Sequence, residues 1–224
     1  PEPIHAAVQE LELSSTVGLL KVTHVVTMNV RVARSDGTFN VRDEIEEDGS
    51  APMYVALKLD LYGNDASNHV EQFLKYCQQG FVENEDDDAP MPSYGRSNFI
   101  QLNQSDGLLI GGSIPGLQLT TQFQQTTPVL EFYQRRLLPA PLWIETNKKE
   151  SGSINNKLSP LLHCHNRKGL LTHRDLDPMP TFGITTRSSN QELDATHTVF
   201  GQIQMDQDAK QFLNCAQDLP TYSM

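Results

Sequence analysis

Residues 193–204 have the sequence Leu-Asp-Ala-Thr-His-Thr-Val-Phe-Gly-Gln-Ile-Gln, the most distinctive segment of the chain. Val199 and Ile203 are apolar residues on either side of Gly201, a pattern that predicts a turn leading into a short strand. A glycine inside a strand indicates a bulge or the close approach of another backbone. His197 stands just before the apolar run, and from spacing alone the simplest interpretation is a half-buried histidine hydrogen-bonded to backbone.

The length and composition predict a single globular domain. A chain of 224 residues is long enough to bury one sizeable core, and 38% hydrophobic with 20% charged residues indicates a polar globular protein with room for long loops. The formal net charge of -11 argues against nucleic-acid binding, because phosphate recognition needs a basic surface. The same charge favours a basic partner.

The sequence predicts neither a membrane span nor a disulfide framework. Its apolar runs fall short of the ~20 residues that a membrane helix needs. Cys77, Cys164 and Cys215 lie far apart without Cys-x-x-Cys spacing, so free thiols are expected, with a single disulfide as the alternative. The chain begins at Pro1 and not at methionine, which leads us to expect that a targeting segment has been removed.

Hydrophobic periodicity predicts two strands and two helices near the ends of the chain. Alternating apolar residues predict strands over residues 22–32 and 55–61. Two stripes with helical spacing predict amphipathic helices. The stripe residues are Val70, Phe73, Leu74 and Cys77 in the first helix, and Ala209, Phe212, Leu213 and Ala216 in the second. Candidate N-caps are Asp65, Ser67 and Asn68 for the first helix and Asp206 for the second.

The middle of the chain predicts a hairpin followed by weakly patterned sequence. Residues 99–102 and 108–110 are short apolar runs around a Ser-Asp-Gly turn, which is typical of a hairpin. Residues 131–138 predict a short helix that prolines end, and Trp143 is expected to be a packing anchor.

Several of these segments resemble the cyclophilins, a family of peptidyl-prolyl cis-trans isomerases. Residues 193–201 resemble the family's Leu-Asp-Gly-x-His-x-Val-Phe-Gly segment, and residues 61–77 resemble its strand-to-helix segment. Residues 94–112 resemble the family's hairpin that ends in Gly-Gly, and residues 182–186 resemble its Phe-Phe-Ile-x-Thr strand. These segments occur in the family's order, so the resemblance extends over about residues 22–215.

The resemblance implies a fold and a domain organisation. The fold class is mainly β, a cyclophilin-like closed eight-stranded antiparallel β-barrel capped by two α-helices, with long loop insertions. Residues 1–20 are expected to form an N-terminal arm, and residues 21–224 the barrel domain. Insertions relative to the family are expected around residues 38–52, 83–93 and 114–160.

The resemblance also implies which residues form the site, and there the chain departs from the family. Gln101 stands where the family has its catalytic arginine, whereas His197 matches the family's histidine. Gly107, Leu108 and Gly183 stand where the family has the bulky side chains of its proline pocket. The substrate-binding positions implied by the resemblance are Phe99, Leu108, Ile110, Phe182, Leu193 and His197.

These departures predict weak or absent isomerase activity. Rotation about an X-Pro bond has a barrier of ~18–20 kcal/mol, which the family's arginine lowers by bonding the prolyl nitrogen. Gln101 lacks the charge that makes such a hydrogen bond roughly twice as strong. Arg174 and Arg187 lie in neighbouring segments and are the alternative sources of a guanidinium.

The main functional prediction is a non-catalytic scaffold, an accessory subunit or assembly factor of a larger complex. It would contact other protein subunits through the inserted loops, and proline-containing peptide segments are a further expected partner. The alternative is an active peptidyl-prolyl cis-trans isomerase or foldase with altered site residues. The expected compartment is the chloroplast, in particular the thylakoid lumen beside a photosynthetic membrane complex, with the secretory pathway as the alternative.

A metal-binding module through His163, His165 and His173 is a third hypothesis. Histidine and thiolate both bind zinc, but alternate residues of a strand point to opposite faces, so Cys164 cannot join His163 and His165. Ordinary strand residues are the favoured interpretation. No metal and no cofactor are therefore expected.

Overall fold

The computed structural model of the protein describes residues 9–10, 20–31, 54–78, 91–103, 107–120, 128–134, 136–145 and 160–218. These residues form strands β1 (Gln9–Glu10), β2 (His24–Arg31), β3 (Tyr54–Leu61), β4 (Gln101–Asn103), β5 (Leu108–Gly111), β6 (Leu117–Thr120), β7 (Val129–Phe132), β8 (Arg136–Pro139), β9 (Leu170–Arg174), β10 (Phe182–Thr185) and β11 (His197–Ile203). The α-helices are α1 (Ser67–Gln78) and α2 (Gln207–Asp218). Short 3-10 turns lie at Tyr94–Arg96, Pro160–His163 and Gln191–Leu193.

The main sheet is antiparallel and has the strand order β1-β2-β3-β11-β9-β10-β5-β4. It is a curled half-barrel, and with α1 and α2 it makes the fold mainly β with two helices, as predicted. Among the described residues the edge strands β1 and β4 do not pair with each other. The half-barrel is therefore present, and closure of the predicted eight-stranded barrel is not confirmed. Gln9 and Glu10, from the predicted N-terminal arm, pair with β2.

Alternating side chains of the predicted strands form the core. Val26 lies opposite Leu59 and Val30 opposite Val55 in the β2–β3 register, and all of them are buried. Directly opposite residues share one face of a sheet, so each pair buries its apolar surface together. Burying such side chains contributes about 1.5–3 kcal/mol each. The predicted strands at residues 22–32 and 55–61 are thus confirmed apart from their ends.

Gly201 confirms both features that the sequence predicts for it. The β11–β9 register shifts between Val199 and Gly201, which marks a bulge. A Cβ on Gly201 would lie 2.6 Å from the carbonyl oxygen of Asp60, so the neighbouring backbone leaves no room for a side chain. The bulge re-aims the part of β11 that follows His197, and the glycine lets β11 pack tightly on β3.

Both predicted helices are present, but only one has its predicted cap. Asp206 Oδ1 accepts the amide of Ala209 at 2.9 Å, which satisfies an otherwise unpaired donor at the start of α2. At the start of α1 the acceptor is Glu145, whose carboxylate receives the amides of Asn68 and His69 at 3.2 and 2.9 Å. This carboxylate comes from far along the chain, so local sequence did not reveal it.

The predicted helix over residues 131–138 is wrong. This part of the insertion forms an antiparallel three-stranded sheet, β6-β7-β8. Leu130 and Phe132 are buried while Glu131 between them is not, a period of two that belongs to a strand. Tyr133 and Gln134 make the β7–β8 turn with φ of 50° and 57°.

Other predictions fall partly or wholly outside the described residues. The acidic insertion at 38–52 lies outside them, as does most of the one at 83–93. Trp143 is 1% exposed, which confirms it as a packing anchor. Cys77, Cys164 and Cys215 are free thiols, as expected, and burial raises the pKa of Cys77 to about 12. In the described part of the chain, neither helix has the length and apolarity to span a membrane.

Candidate functional site

A cleft of about 520 Å³ lies where β5, β9, β10 and β11 come together. Apolar residues and Gly183 form its floor, whereas two carboxylates, a guanidinium and an imidazole lie around them. An apolar floor with a few polar groups is the usual arrangement of a ligand-binding cleft. Its lining residues are Leu108, Ile110, Arg174, Asp177, Thr181, Phe182, Gly183, Glu192, Leu193, Thr196 and His197.

Most of the residues predicted to bind substrate line this one cleft. They are Leu108, Ile110, Phe182, Leu193 and His197. The pairing of β5 with β10 brings the first three together, because Gly183 lies opposite Ile110 and Thr185 opposite Leu108. Leu193 belongs to the 3-10 turn that precedes β11, and His197 is the first residue of β11. Sequence segments far apart in the chain therefore meet in one cleft.

Phe99 lies beside the cleft wall rather than in the lining. Its ring packs against Gly111, where an added Cβ would lie 2.5 Å from the Phe99 ring. The ring centroids of Phe182 and Phe212 lie 6.3 and 5.7 Å away. Phe99 thus supports the back of Phe182, which itself lines the cleft.

Gln101 occupies a backbone position next to the cleft. It lies opposite Ile110 in the β4–β5 register, and Ile110 lines the cleft. The family's arginine position is therefore adjacent to the same floor in this fold.

Arg174 and His197 are direct neighbours across the β9–β11 pair. The amide of Asp175 donates to the carbonyl of Thr196 at 2.8 Å, which makes this the hydrogen-bonded pair of the ladder. The next pair, Arg174 and His197, is consequently of the non-hydrogen-bonded type, in which side chains come closest. Both residues line the cleft, so their side chains share one face of the β9–β11 pair.

His197 is half-buried, as its sequence context suggests, and it faces the cleft. Its Nδ1 lies 2.8 Å from Thr196 Oγ1, and its backbone carbonyl accepts a hydrogen bond from His163 Nδ1 at 3.2 Å. The ring of His165 stands 6.3 Å away in an edge arrangement. These contacts fix both the ring and the backbone at this end of β11.

Two glycines at or beside the cleft have no room for a side chain. A Cβ on Gly183 would lie 2.6 Å from Leu108 Cδ1, so the Leu108 side chain occupies the space beside this position. A Cβ on Gly107 would lie 2.6 Å from Arg187 Cδ, and its φ of +60° also favours glycine. The stem of Arg187 therefore packs against Gly107, and Arg187 is not among the residues that line the cleft.

A buried hydrogen-bond network holds the segment that carries Leu193. Asp194 Oδ1 accepts both the amide of His165 at 2.8 Å and its Nδ1–H at 2.7 Å. His165 Nε2 lies 2.9 Å from Thr172 Oγ1 in β9. Burial lowers the pKa of His165, and the hydrogen bond to Asp194 opposes that shift. The network ties the 3-10 turn of the cleft to the strand that carries Arg174.

This network and part of the lining were not predicted from the sequence. Asp177, Thr181 and Thr196 are turn residues whose positions depend on how β9, β10 and β11 are connected. Asp194 follows directly on Leu193, which matches the family motif. A carboxylate next to a matched residue was the one signal in the sequence that could have pointed to this network.

The three histidines of the metal hypothesis bind different partners. His163 ends a 3-10 turn and His165 lies in the following loop, so the prediction of ordinary strand residues is wrong for both. His163 and His165 have the partners given above, and His173 Nε2–H donates to the carbonyl of Met179 at 3.0 Å. In the described chain, no group of three His, Cys, Asp or Glu side chains is arranged to hold a metal ion.

A second buried polar cluster lies behind the cleft strand β9. Trp143 stacks on His173 with ring centroids 4.2 Å apart, and the ring of His69 lies 5.6 Å from His173. Burial lowers the pKa of His173 to about 3. Burial alone would raise the pKa of Glu145, but hydrogen bonds from the His69 ring and from the amides of His69 and Asn68 hold it below its usual value.

Comparison with known families agrees with the fold. Residues 51–220 match the family described as cyclophilin-type peptidyl-prolyl cis-trans isomerase. No curated protein sequence matches the chain. The family match covers most of the chain, including every lining residue of the cleft. This chain therefore belongs to the cyclophilin-type peptidyl-prolyl cis-trans isomerase family.

Proposed function

We propose that this protein uses its cleft to bind proline-containing segments of partner proteins, with little or no isomerase activity, and that it acts as a scaffold or accessory subunit. The observation that carries the proposal is the packing of Leu108 onto Gly183 among the buried apolar residues of the cleft. The floor offers apolar surface to a prolyl or similar side chain. The bulky wall that would clamp the ring is replaced by smaller groups.

The charge arrangement also supports weak catalysis. Catalysis of X-Pro rotation needs a donor placed at the prolyl nitrogen as the amide twists, because only interactions stronger in the transition state lower the barrier. Gln101 is neutral, and Arg187 is packed on Gly107. Binding of the peptide without a preorganised cation at position 101 stabilises the ground and transition states similarly, which leaves the rate almost unchanged.

The inserted segments are the proposed contacts to other subunits. Apolar side chains are exposed on the insertion that contains β6-β7-β8: Tyr133 is 50% exposed, Leu137 52% and Leu142 72%. Apolar side chains that together form a contiguous exposed patch are typical of protein–protein contacts, and we propose these three as members of such a patch. The chloroplast, in particular its thylakoid lumen, stays the prediction for the compartment, with the secretory pathway as the alternative.

A specific observation favours a second candidate, an active isomerase. Arg174 lies directly opposite His197 and lines the cleft, so it can supply the guanidinium from β9 instead of β4. In this alternative Arg174 donates to the prolyl nitrogen or its carbonyl, while Leu193 and His197 hold the prolyl residue.

An isomerisation assay combined with a binding measurement separates the two candidates. Exchange spectroscopy by NMR on short X-Pro peptides reports the rate, and chemical-shift perturbation reports binding. The proposal expects perturbed signals at the cleft residues with exchange rates close to those of the free peptide. Turnover comparable to that of ordinary family members, lost in His197→Ala, would reject the scaffold function in favour of the isomerase. An Asp208→Ala variant on the exposed side of α2 is the control.

A further inference from the structure

We infer that the cleft selects extended peptides in which the residue that enters the cleft is flanked by an acidic residue at one neighbouring position and a basic residue at the other. This inference rests on the proposed peptide-binding function and names the class of peptide. Its basis is a pair of opposite charges, Arg174 and Glu192, that line the same cleft.

The two charged side chains are available to a ligand. Both are exposed, and within the described chain neither side chain takes part in a hydrogen bond or an ion pair, not even with the other. The guanidinium of Arg174 retains its donors for a carboxylate, and Glu192 retains both acceptor oxygens for a cation. Charge-assisted hydrogen bonds to these groups are the strongest polar contacts that the cleft offers.

The positions of both residues are fixed by the fold. Arg174 is held by its pairing with His197 in the ladder. Glu192 belongs to the 3-10 turn whose next residues, Leu193 and Asp194, are tied down by burial and by the hydrogen bonds to His165. A ligand therefore meets two opposite charges at preset places, so it does not bear the cost of ordering the backbone that carries them.

The apolar floor sets the spacing of the ligand's charges. Ile110, Phe182 and Leu193 offer apolar surface to one side chain of the peptide. Successive side chains of an extended peptide point to opposite faces, so the residues that flank the inserted one point away from the floor, where they can reach only exposed lining groups such as Arg174 and Glu192. An acidic residue at one flanking position can then pair with Arg174 while a basic residue at the other pairs with Glu192, which is the pattern that we infer.

Asp177 adds a second carboxylate to the cleft. Its Oδ1 accepts the amide of Met179 at 2.9 Å, so this side chain is held in place by a turn. With two carboxylates and one guanidinium, the cleft carries more negative than positive charge. Peptides with two basic flanks are therefore expected to bind better than peptides with two acidic flanks.

The test uses a set of capped peptides that share one central apolar-proline core. Their flanking residues are acidic–basic, basic–acidic, acidic–acidic, basic–basic or neutral, and affinities are measured by calorimetry at low and at high salt. The wild-type protein is expected to bind one of the two mixed peptides roughly fivefold more tightly than the neutral one, an effect that salt reduces. The double variant Arg174→Glu/Glu192→Arg is expected to invert the preference between the two mixed orders.

Controls separate this inference from the proposed function. Lys210→Glu/Asp208→Arg makes the same charge exchange on the exposed face of α2 and is expected to leave the ranking unchanged. Ile110→Asp places a charge in the apolar floor and is expected to weaken every peptide, with folding checked by circular dichroism. Equal affinities for all five peptides, or a double variant that ranks them as the wild type does, would overturn the inferred selectivity while peptide binding stands. Failure of every peptide to bind at millimolar concentration would overturn the proposed function itself.

Discussion

Arg174 lies directly opposite His197 in the antiparallel pair of β9 and β11, and both residues line one cleft. The resemblance to the cyclophilins implies a guanidinium at the position of Gln101 in β4, whereas the guanidinium that lines the cleft of this chain belongs to Arg174 in β9. If the cleft binds an X-Pro amide as we propose, a positive charge approaches that amide from β9.

The first prediction concerns the source of any residual isomerase activity. Replacing Arg174 with alanine is expected to lower kcat/KM at least about tenfold, because Arg174 is the guanidinium that lines the described cleft. Arg174→Lys is expected to recover only part of it, since lysine cannot reproduce the planar fork of donors. NMR exchange spectroscopy on an X-Pro peptide measures the change.

The control for this prediction is an exposed cation outside the cleft, Lys210→Ala on α2. Arg174 is exposed, so the melting temperatures of both variants should stay close to that of the wild type. Residual activity that persists unchanged in Arg174→Ala would assign it to another group.

The second prediction concerns the contact between Leu108 and Gly183. Gly183→Ala is expected to destabilise the protein by about 1–3 kcal/mol, because the new Cβ meets Leu108 Cδ1 at 2.6 Å in a buried strand. Leu108→Ala is expected to cost about 2–5 kcal/mol through the cavity that it leaves. Together they should cost at least about 1 kcal/mol less than the sum, since the methyl group of one fills the space vacated by the other.

Urea unfolding of the wild type, both single variants and the double variant gives this coupling energy. Additive free energies would mean that the two side chains do not compete for space. The affinity of the double variant for X-Pro peptides also shows whether the Leu108 side chain blocks the prolyl ring. A higher affinity than that of the wild type would mean that it does.

The elements that sequence predicts well are those whose signal is local. The stripe of α1, the alternation of β2 and β3, and the glycine of β11 all follow from spacing between near neighbours. Residues 131–138 were misassigned because a short stretch with few apolar residues fits a helix and a strand about equally until its pairing partners are known.

Features that depend on distant pairing were not predictable in the same way. The cap of α1 is Glu145, and the restraint on Leu193 is a hydrogen bond from His165 to Asp194. Neither contact has a sequence pattern, because each joins segments that only the completed fold brings together. For the cleft, the resemblance identified its apolar residues, but the charged residues around them required the register of β9 and β11.

The third prediction concerns Asp194 as a support of the cleft. Asp194→Ala removes the acceptor of two hydrogen bonds from His165, whose side chain is buried, and is expected to destabilise the protein by about 1–3 kcal/mol. Because Leu193 precedes Asp194, peptide affinity should fall as well. Asp194→Asn retains an acceptor oxygen and should lose less of both quantities. Asp208→Ala is the matched control, and equal losses in Asp194→Ala and in that control would contradict a supporting role.

The fourth prediction concerns the pH dependence of stability. Burial lowers the pKa of His173 from 6.5 to about 3, so the folded protein keeps this ring neutral, while the unfolded chain takes up a proton below about pH 6.5. Stability is therefore fully present above pH 6.5 and falls as the pH drops toward 3, by about 1.4 kcal/mol per pH unit for one histidine. His165, whose pKa burial also lowers, acts in the same direction.

His173→Gln is the informative variant, because a glutamine amide can still donate to the carbonyl of Met179 and does not titrate. We expect urea unfolding between pH 7.5 and pH 4.5 to show that the free energy of unfolding falls less steeply with decreasing pH in His173→Gln than in the wild type. The two slopes should differ by up to about 1.4 kcal/mol per pH unit, the contribution of one proton. The loss of packing on Trp143 lowers the variant's stability at every pH, so the comparison is between slopes and not between absolute values. Parallel slopes for the two proteins would show that His173 is protonated equally in the folded and unfolded states, and that the pH dependence arises from other groups.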